Sequence, residues 1–119
     1  MTKKELNAAL KYWQAGLRLQ DWDISVEVIV DPRYHSFGEG KHSPQFQQSE
    51  IKILDERLIS PDWFGCSDWE VTLVHELLHI RFLYGTKSDG VQDAEEAAIE
   101  ATSKLLVAMK RGVSLGELG

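Results

Sequence analysis

The chain has 119 residues, 43% hydrophobic and 27% charged, with a formal net charge of −6. That is the size and balance of one folded domain, and the negative charge offers no electrostatic footprint for nucleic acid or an anionic membrane. Cys66 is the only cysteine, which excludes an internal disulfide, and no signal peptide or transmembrane span is legible, so a single domain over residues 1–119 in a reducing, cytoplasmic setting is expected.

Thr2 with Glu5 makes a capping-box pattern ahead of Leu6, Leu10, Trp13 and Leu17, whose spacing predicts a first helix with one buried stripe. Leu19 to Ile24 reads as a helix-to-strand junction sealed by a buried Trp22. Trp22, Ile24, Val26, Val28 and Val30 then alternate with Asp23, Ser25, Glu27 and Ile29, a period of two that predicts a strand stopping at Asp31-Pro32. Residues 33–47 carry two glycines, a proline and two histidines, and read as mostly loop with a short strand around Ser36 to Gly40. Ile51, Ile53 and Leu54 against Glu50, Lys52 and Asp55 predict a second strand, and Ser60 to Gly65 a turn-rich connection.

Ser67 with Glu70 repeats the capping-box pattern and opens a helix whose core side is Val71, Val74, Leu78 and Phe82, ending near Gly85. His75 and His79 lie off the centre of that stripe, beside Thr72, so their face should border a cleft. After the loop from Gly85 to Gly90, a last helix is expected to bury Ala98, Ala101, Leu105, Leu106 and Met109 and to end at Gly112 and Gly116. The short loop makes these two helices antiparallel. The fold class is therefore α+β: an N-terminal helix, a small sheet of two to four strands, and an antiparallel helix pair.

The chemistry sits at His75-Glu76-Leu77-Leu78-His79, an HExxH run. Residues four apart on a helix stand one above the other, so both imidazoles can reach one metal ion with Glu76 beside it as general base, the pattern of a zinc peptidase. A catalytic zinc takes three protein ligands and leaves a position open. Antiparallel packing brings Glu95, Glu96 and Glu100 level with the histidines, and Glu96 and Glu100 share a face. Two imidazoles with a carboxylate suit one Zn2+ per chain better than calcium or magnesium.

This helix pair resembles the gluzincin metallopeptidases, in which HExxH is followed by a glutamate ligand with an acidic or amide residue four positions later; Glu96-Ala97-Ala98-Ile99-Glu100 is similar to that second motif. The resemblance implies a zincin-like domain with Glu96 as third ligand and Glu100 as the carboxylate holding a ligating imidazole through its other nitrogen. Glu100 is the rival third ligand, because its longer interval from His79 suits thermolysin-like spacing. Asp93 with Glu96 also fits a capping box, which would occupy Glu96 with a backbone amide. More narrowly, the chain resembles small phage-encoded metallopeptidases. The implied reaction is peptide hydrolysis by a zinc-activated water with Glu76 as base, on a peptide or protein substrate lying beside the strand through Ile51 and Ile53.

A second donor for the developing oxyanion could come from Tyr34, His35, His42 or Tyr84, none specified by spacing, and Cys66 reads as a small buried group. Two other readings stand beside the enzyme. One is a binding module with a zincin shell, catalytically weak or inactive, acting on a host or phage protein. The other is a structural protein whose histidines are incidental.

Overall fold

Each element begins where a local signal places it. In the computed structural model, which describes residues 1–82 and 89–118, with the side chains of 89–91 set aside, Thr2 Oγ1 accepts from Glu5 N at 3.1 Å while Thr2 N donates to Glu5 Oε1 at 2.9 Å. This reciprocal cap starts α1 (Lys3–Gly16), which buries Leu6, Ala9, Leu10 and Trp13. Gln14 Nε2 then donates to the carbonyls of Leu19 and Trp22, so the junction is tied back to α1 by its own side chain. Leu19 is buried there, and Trp22 is half-buried against the core.

Three strands follow: β1 (Asp23–Ile29), β2 (Gly38–Ser43) and β3 (Gln48–Leu54), in the order β1-β3-β2. β1 pairs parallel to β3, with Val26 opposite Ile51 and Val28 opposite Ile53. β2 pairs antiparallel to β3 through the turn at 44–47, where Gln47 takes a left-handed φ of 50°. Two expectations are corrected. Val30 lies outside β1 and is exposed, and the short strand runs from Gly38 to Ser43, displaced from the Ser36–Gly40 stretch. The glycines that read as loop signals are there because β2 passes close to a helix: a Cβ on Gly38 would lie 2.9 Å from Thr72 Cγ2 and 2.6 Å from the Lys52 carbonyl oxygen.

That helix is α2 (Trp69–Arg81), which buries Val71, Leu73, Val74, Leu77, Leu78 and Ile80 in the core it shares with the sheet and the other helices; each such side chain contributes about 1.5–3 kcal/mol when fully buried. Its N-cap is Asp68, whose carboxylate accepts from Glu70 N and Val71 N, and the expected Ser67–Glu70 box does not form. Glu70 is instead buried, its carboxylate accepting from Trp13 Nε1 at 2.7 Å, from Arg111 Nη2 at 3.0 Å and from Lys110 Nζ. Phe82, expected in the core, is half exposed, and Gly85 lies outside the described residues.

α3 (Asp89–Arg111) runs antiparallel to α2: Lys110 and Arg111 at its end meet Asp68 and Glu70 at the start of α2. It buries Ile99, Ser103, Val107 and Ala108 with Leu106 half-buried. The expected stripe was rotated on the wheel, since Ala98, Ala101, Leu105 and Met109 are exposed. Gly112, at φ 67°, ends the helix. The fold is α+β, three helices on a mixed three-stranded sheet, and among the described residues no helix is long and apolar enough to cross a membrane.

Candidate metal centre

His75 and His79 stand one turn apart on α2, with ring centroids 5.0 Å apart. Both direct Nε2 at one carboxylate from α3. Glu96 Oε1 lies 2.7 Å from His79 Nε2, and Glu96 Oε2 lies 3.0 Å from His75 Nε2. Glu100, one turn further along α3, is 2.7 Å from His75 Nδ1. The two glutamates are thus divided between the two nitrogens of one ring. Because α3 has already begun at Asp89, Asp93 is not an N-cap, and the capping-box reading of Glu96 is overturned.

Among the described residues, His75, His79 and Glu96 are the group whose ligand atoms, all within 4.8 Å of one another, could hold one ion. Donors about 2.1 Å from a tetrahedral zinc ion stand roughly 3.4 Å apart, so the two contacts to Glu96, at 2.7 and 3.0 Å, would have to lengthen to admit one. Nitrogen, nitrogen and carboxylate oxygen suit zinc in type. Half of the Glu96 side chain is exposed, leaving the group open on one side.

Glu76 occupies the β2 side of this group and is mostly buried. Burial pushes its pKa up to about 7, opposed by the charge of His75 and reinforced by Glu96, Glu39 and Glu100. For His75 burial disfavours the imidazolium, but the bond and charge of Glu100, with Glu76 and Glu96, outweigh it and raise the pKa. His79 is lowered, chiefly by burial. Glu100 is lowered, chiefly by its bond to His75. These opposed shifts gather in one cluster of side chains, a pattern typical of functional sites as well as of ion-pair networks.

Of the four candidate donors, His42 comes to the site. Strand alternation turns Gly38, Gly40 and His42 towards α2 and leaves Glu39, Lys41 and Ser43 exposed. Register sets His42 opposite the buried Ser49, and its Nδ1 lies 2.6 Å from Ser49 Oγ. His42 Nε2 then faces Glu76 Oε1 at 3.9 Å. Burial, then the charge of His79, lowers the pKa of His42. Tyr34 Oη is buried beside Glu39, and burial, then the charge and hydrogen bonding of Glu39 and the charge of Glu76, push its pKa up to about 12. His35 is exposed, and Tyr84 lies outside the described residues.

Gly40 and Ser49 are the site-shaping residues that sequence reasoning missed. A Cβ on Gly40 would fall 2.6 Å from Glu76 Oε1 and 2.5 Å from His42 Cε1, so these two groups keep their positions only beside glycine. The strand through Ile51 and Ile53, expected beside the substrate, is the central strand with both edges paired; the edge next to α2 is β2. Two clefts flank the histidines, one of about 170 Å3 touching His75, Glu76 and Thr72, the other of about 220 Å3 lined by His79, Gln92, Asp93, Glu95 and Glu96. No protein-family model, curated protein or solved structure matches this chain.

Proposed function

We propose that this chain is a zinc-dependent metallopeptidase with a gluzincin-like ligand set, His75, His79 and Glu96, one zinc ion per chain. The observation that carries the reading is the shared aim of His75 Nε2 and His79 Nε2 at Glu96 while Glu100 engages His75 Nδ1. An imidazole accepts a metal at one nitrogen best when the other donates to a carboxylate, which fixes the tautomer and raises the basicity of the ligating atom. A bound zinc would supply Lewis-acid polarisation of the scissile carbonyl and acidify the attacking water.

The remaining steps belong to the chain's own residues. Glu76 takes a proton from the water and later delivers it to the leaving amine, a double role favoured by a carboxylate whose pKa, pushed up to about 7 by burial, lies near the working pH. His42, held through Nδ1 by Ser49, turns Nε2 towards the space in front of Glu76 and serves as the second donor to the oxyanion. An extended peptide would add to β2, the sheet's edge strand on the side of Glu76, and lie across the two clefts.

The test is cleavage of a mixed peptide library by zinc-loaded protein, read by mass spectrometry. Glu76→Gln should retain zinc and lose about 10²–10⁴-fold in rate, the usual size of general acid–base catalysis. Cleavage at wild-type rate by Glu76→Gln would sink the mechanism.

A further inference from the structure

α3 is apolar on two sides. One side, through Ile99, Ser103 and Val107, is buried. Ala94, Ala98, Ala101, Leu105 and Met109, at intervals of four, three, four and four, line the opposite side, and all five are exposed. Leu105 leaves 49% and Met109 69% of its surface open to solvent. A surface helix ordinarily turns charge to the water opposite its core stripe, as α1 does with Lys4 and Lys11. The face through Leu105 carries no charge among the described residues. The charged groups of α3 stand on its flanks and on the side where Glu96 and Glu100 meet His75 and His79.

Those charges are sorted along the helix. Asp93, Glu95, Glu96 and Glu100 lie in the first half, and Lys104, Lys110 and Arg111 in the second. The order suits the helix's own macrodipole, and it also distinguishes among partners. A second α3 laid antiparallel sets acid against base, whereas a parallel one sets like against like. A two-fold interface must be complementary to itself, and this face is so in one register. With the axis between Ala101 and Thr102, Met109 faces Ala94 of the second copy, Leu105 faces its Ala98, and Ala101 lies at the axis. Each large side chain then meets a small one, which lets the two backbones approach closely. The same register brings Asp93 level with Lys110 of the second copy, and Lys104 within one residue of its Glu100. Sliding the helices until Leu105 met Met109 would instead bring Lys104 level with Lys110.

We propose that α3 pairs antiparallel with α3 of a second copy through Ala94, Ala98, Ala101, Leu105 and Met109, making a symmetric dimer. The assignment is independent of the peptidase reading. Glu96 and Glu100 turn to their own α2 on the other side of the helix, so pairing leaves both copies of that site in place. The core of each copy closes without the second, and contact along one helix is at the small end of interface sizes. The dimer therefore forms from folded chains at high concentration and separates on dilution.

Sedimentation velocity on the untagged chain, from micromolar to near-millimolar concentration, measures this. The wild type should pass from monomer to dimer. Leu105→Glu and Ala98→Lys each place an unpaired charge in the apolar seam and should weaken pairing about a hundredfold. Both should unfold like the wild type in dilute solution, because both positions are exposed in the single chain. Mixing the two variants should restore a dimer, since the register brings the carboxylate introduced at position 105 of one chain to the ammonium introduced at position 98 of the other. A wild type that stays monomeric throughout would overturn the proposal and leave this face to a different protein. So would a dimer that survives both substitutions, or one that both abolish and the mixture fails to restore.

Discussion

At the residue scale, Gly38 and Gly40 separate fold from function. Two residues along a strand rise about 6.6 Å and one helical turn about 5.4 Å, so Gly38 and Gly40 meet Thr72 and Glu76 in step. A methyl group on Gly38 strikes the Lys52 backbone carbonyl, which cannot swing away. One on Gly40 strikes first the ends of Glu76 and His42, which can. Gly38→Ala should therefore cost about 1–3 kcal/mol of stability, as overpacking does. Gly40→Ala should fold almost normally yet lose about a hundredfold in peptide cleavage, because a shift of an ångström in a catalytic group has that effect. Urea denaturation beside the library assay distinguishes the two, and a Gly40→Ala protein of wild-type activity would remove Glu76 and His42 from the reacting centre. The HExxH run, with Glu96 and Glu100, was legible because helical spacing is local arithmetic. His42 was one name among four because its place depends on pairing with Ser49 across the β2–β3 turn, and register of that kind is set by the fold.

At the scale of elements, the network at Glu70 holds α1, α2 and α3 at one point: Trp13 from the first, Lys110 and Arg111 from the last. Burial favours the neutral carboxyl, but the bonds from Lys110, Trp13 and Arg111 outweigh it and keep the Glu70 pKa below the ordinary range. Removing one member of such a group leaves the others uncompensated, so Glu70→Ala should lose about 3 kcal/mol in chemical denaturation. Leu105→Ser, on the exposed side of α3, should change stability by less than about 0.5 kcal/mol; a loss as large as that of Glu70→Ala would show that the exposed and buried faces of α3 are misassigned. The sequence pattern named α1 down to its cap, since Thr2 and Glu5 answer each other within one turn. It misjudged the start of α2 because Glu70 satisfies groups on other helices in preference to its own N-cap. It rotated α3 because a run rich in alanine, with Leu105 and Met109 at helical spacing, has two candidate stripes, and packing against α2 selects the one through Ile99, Ser103 and Val107.

At the scale of the whole molecule, the site makes stability depend on pH. The folded-state pKa of Glu76 is raised by burial to about 7 from an ordinary 4.5. Between these values the folded protein binds more protons than the unfolded chain, so this group's contribution falls as pH rises from about 4.5 to 7. His42 and His79, lowered mainly by burial, act in the opposite sense at and below their ordinary value of 6.5. The Glu76 part is isolated by comparison: in the metal-free protein, the stability of the wild type relative to Glu76→Gln should decline across pH 4.5–7 and level off above. A flat difference would mean that Glu76 is solvated. The α+β class and the antiparallel helix pair were readable from period and loop length, whereas the strand order β1-β3-β2 was not, because β2 carries glycine where most strands carry β-branched residues. The central claim, that α2 and α3 together hold one catalytic zinc ion, is tested most directly by elemental analysis of untagged protein beside His75→Ala, His79→Ala, Glu96→Ala and Glu100→Ala. One zinc per chain is expected, lost with either histidine or with Glu96 and bound about 10–100-fold more weakly in Glu100→Ala; a wild type that takes up no zinc after reconstitution, or zinc retained when both histidines are replaced, would contradict it.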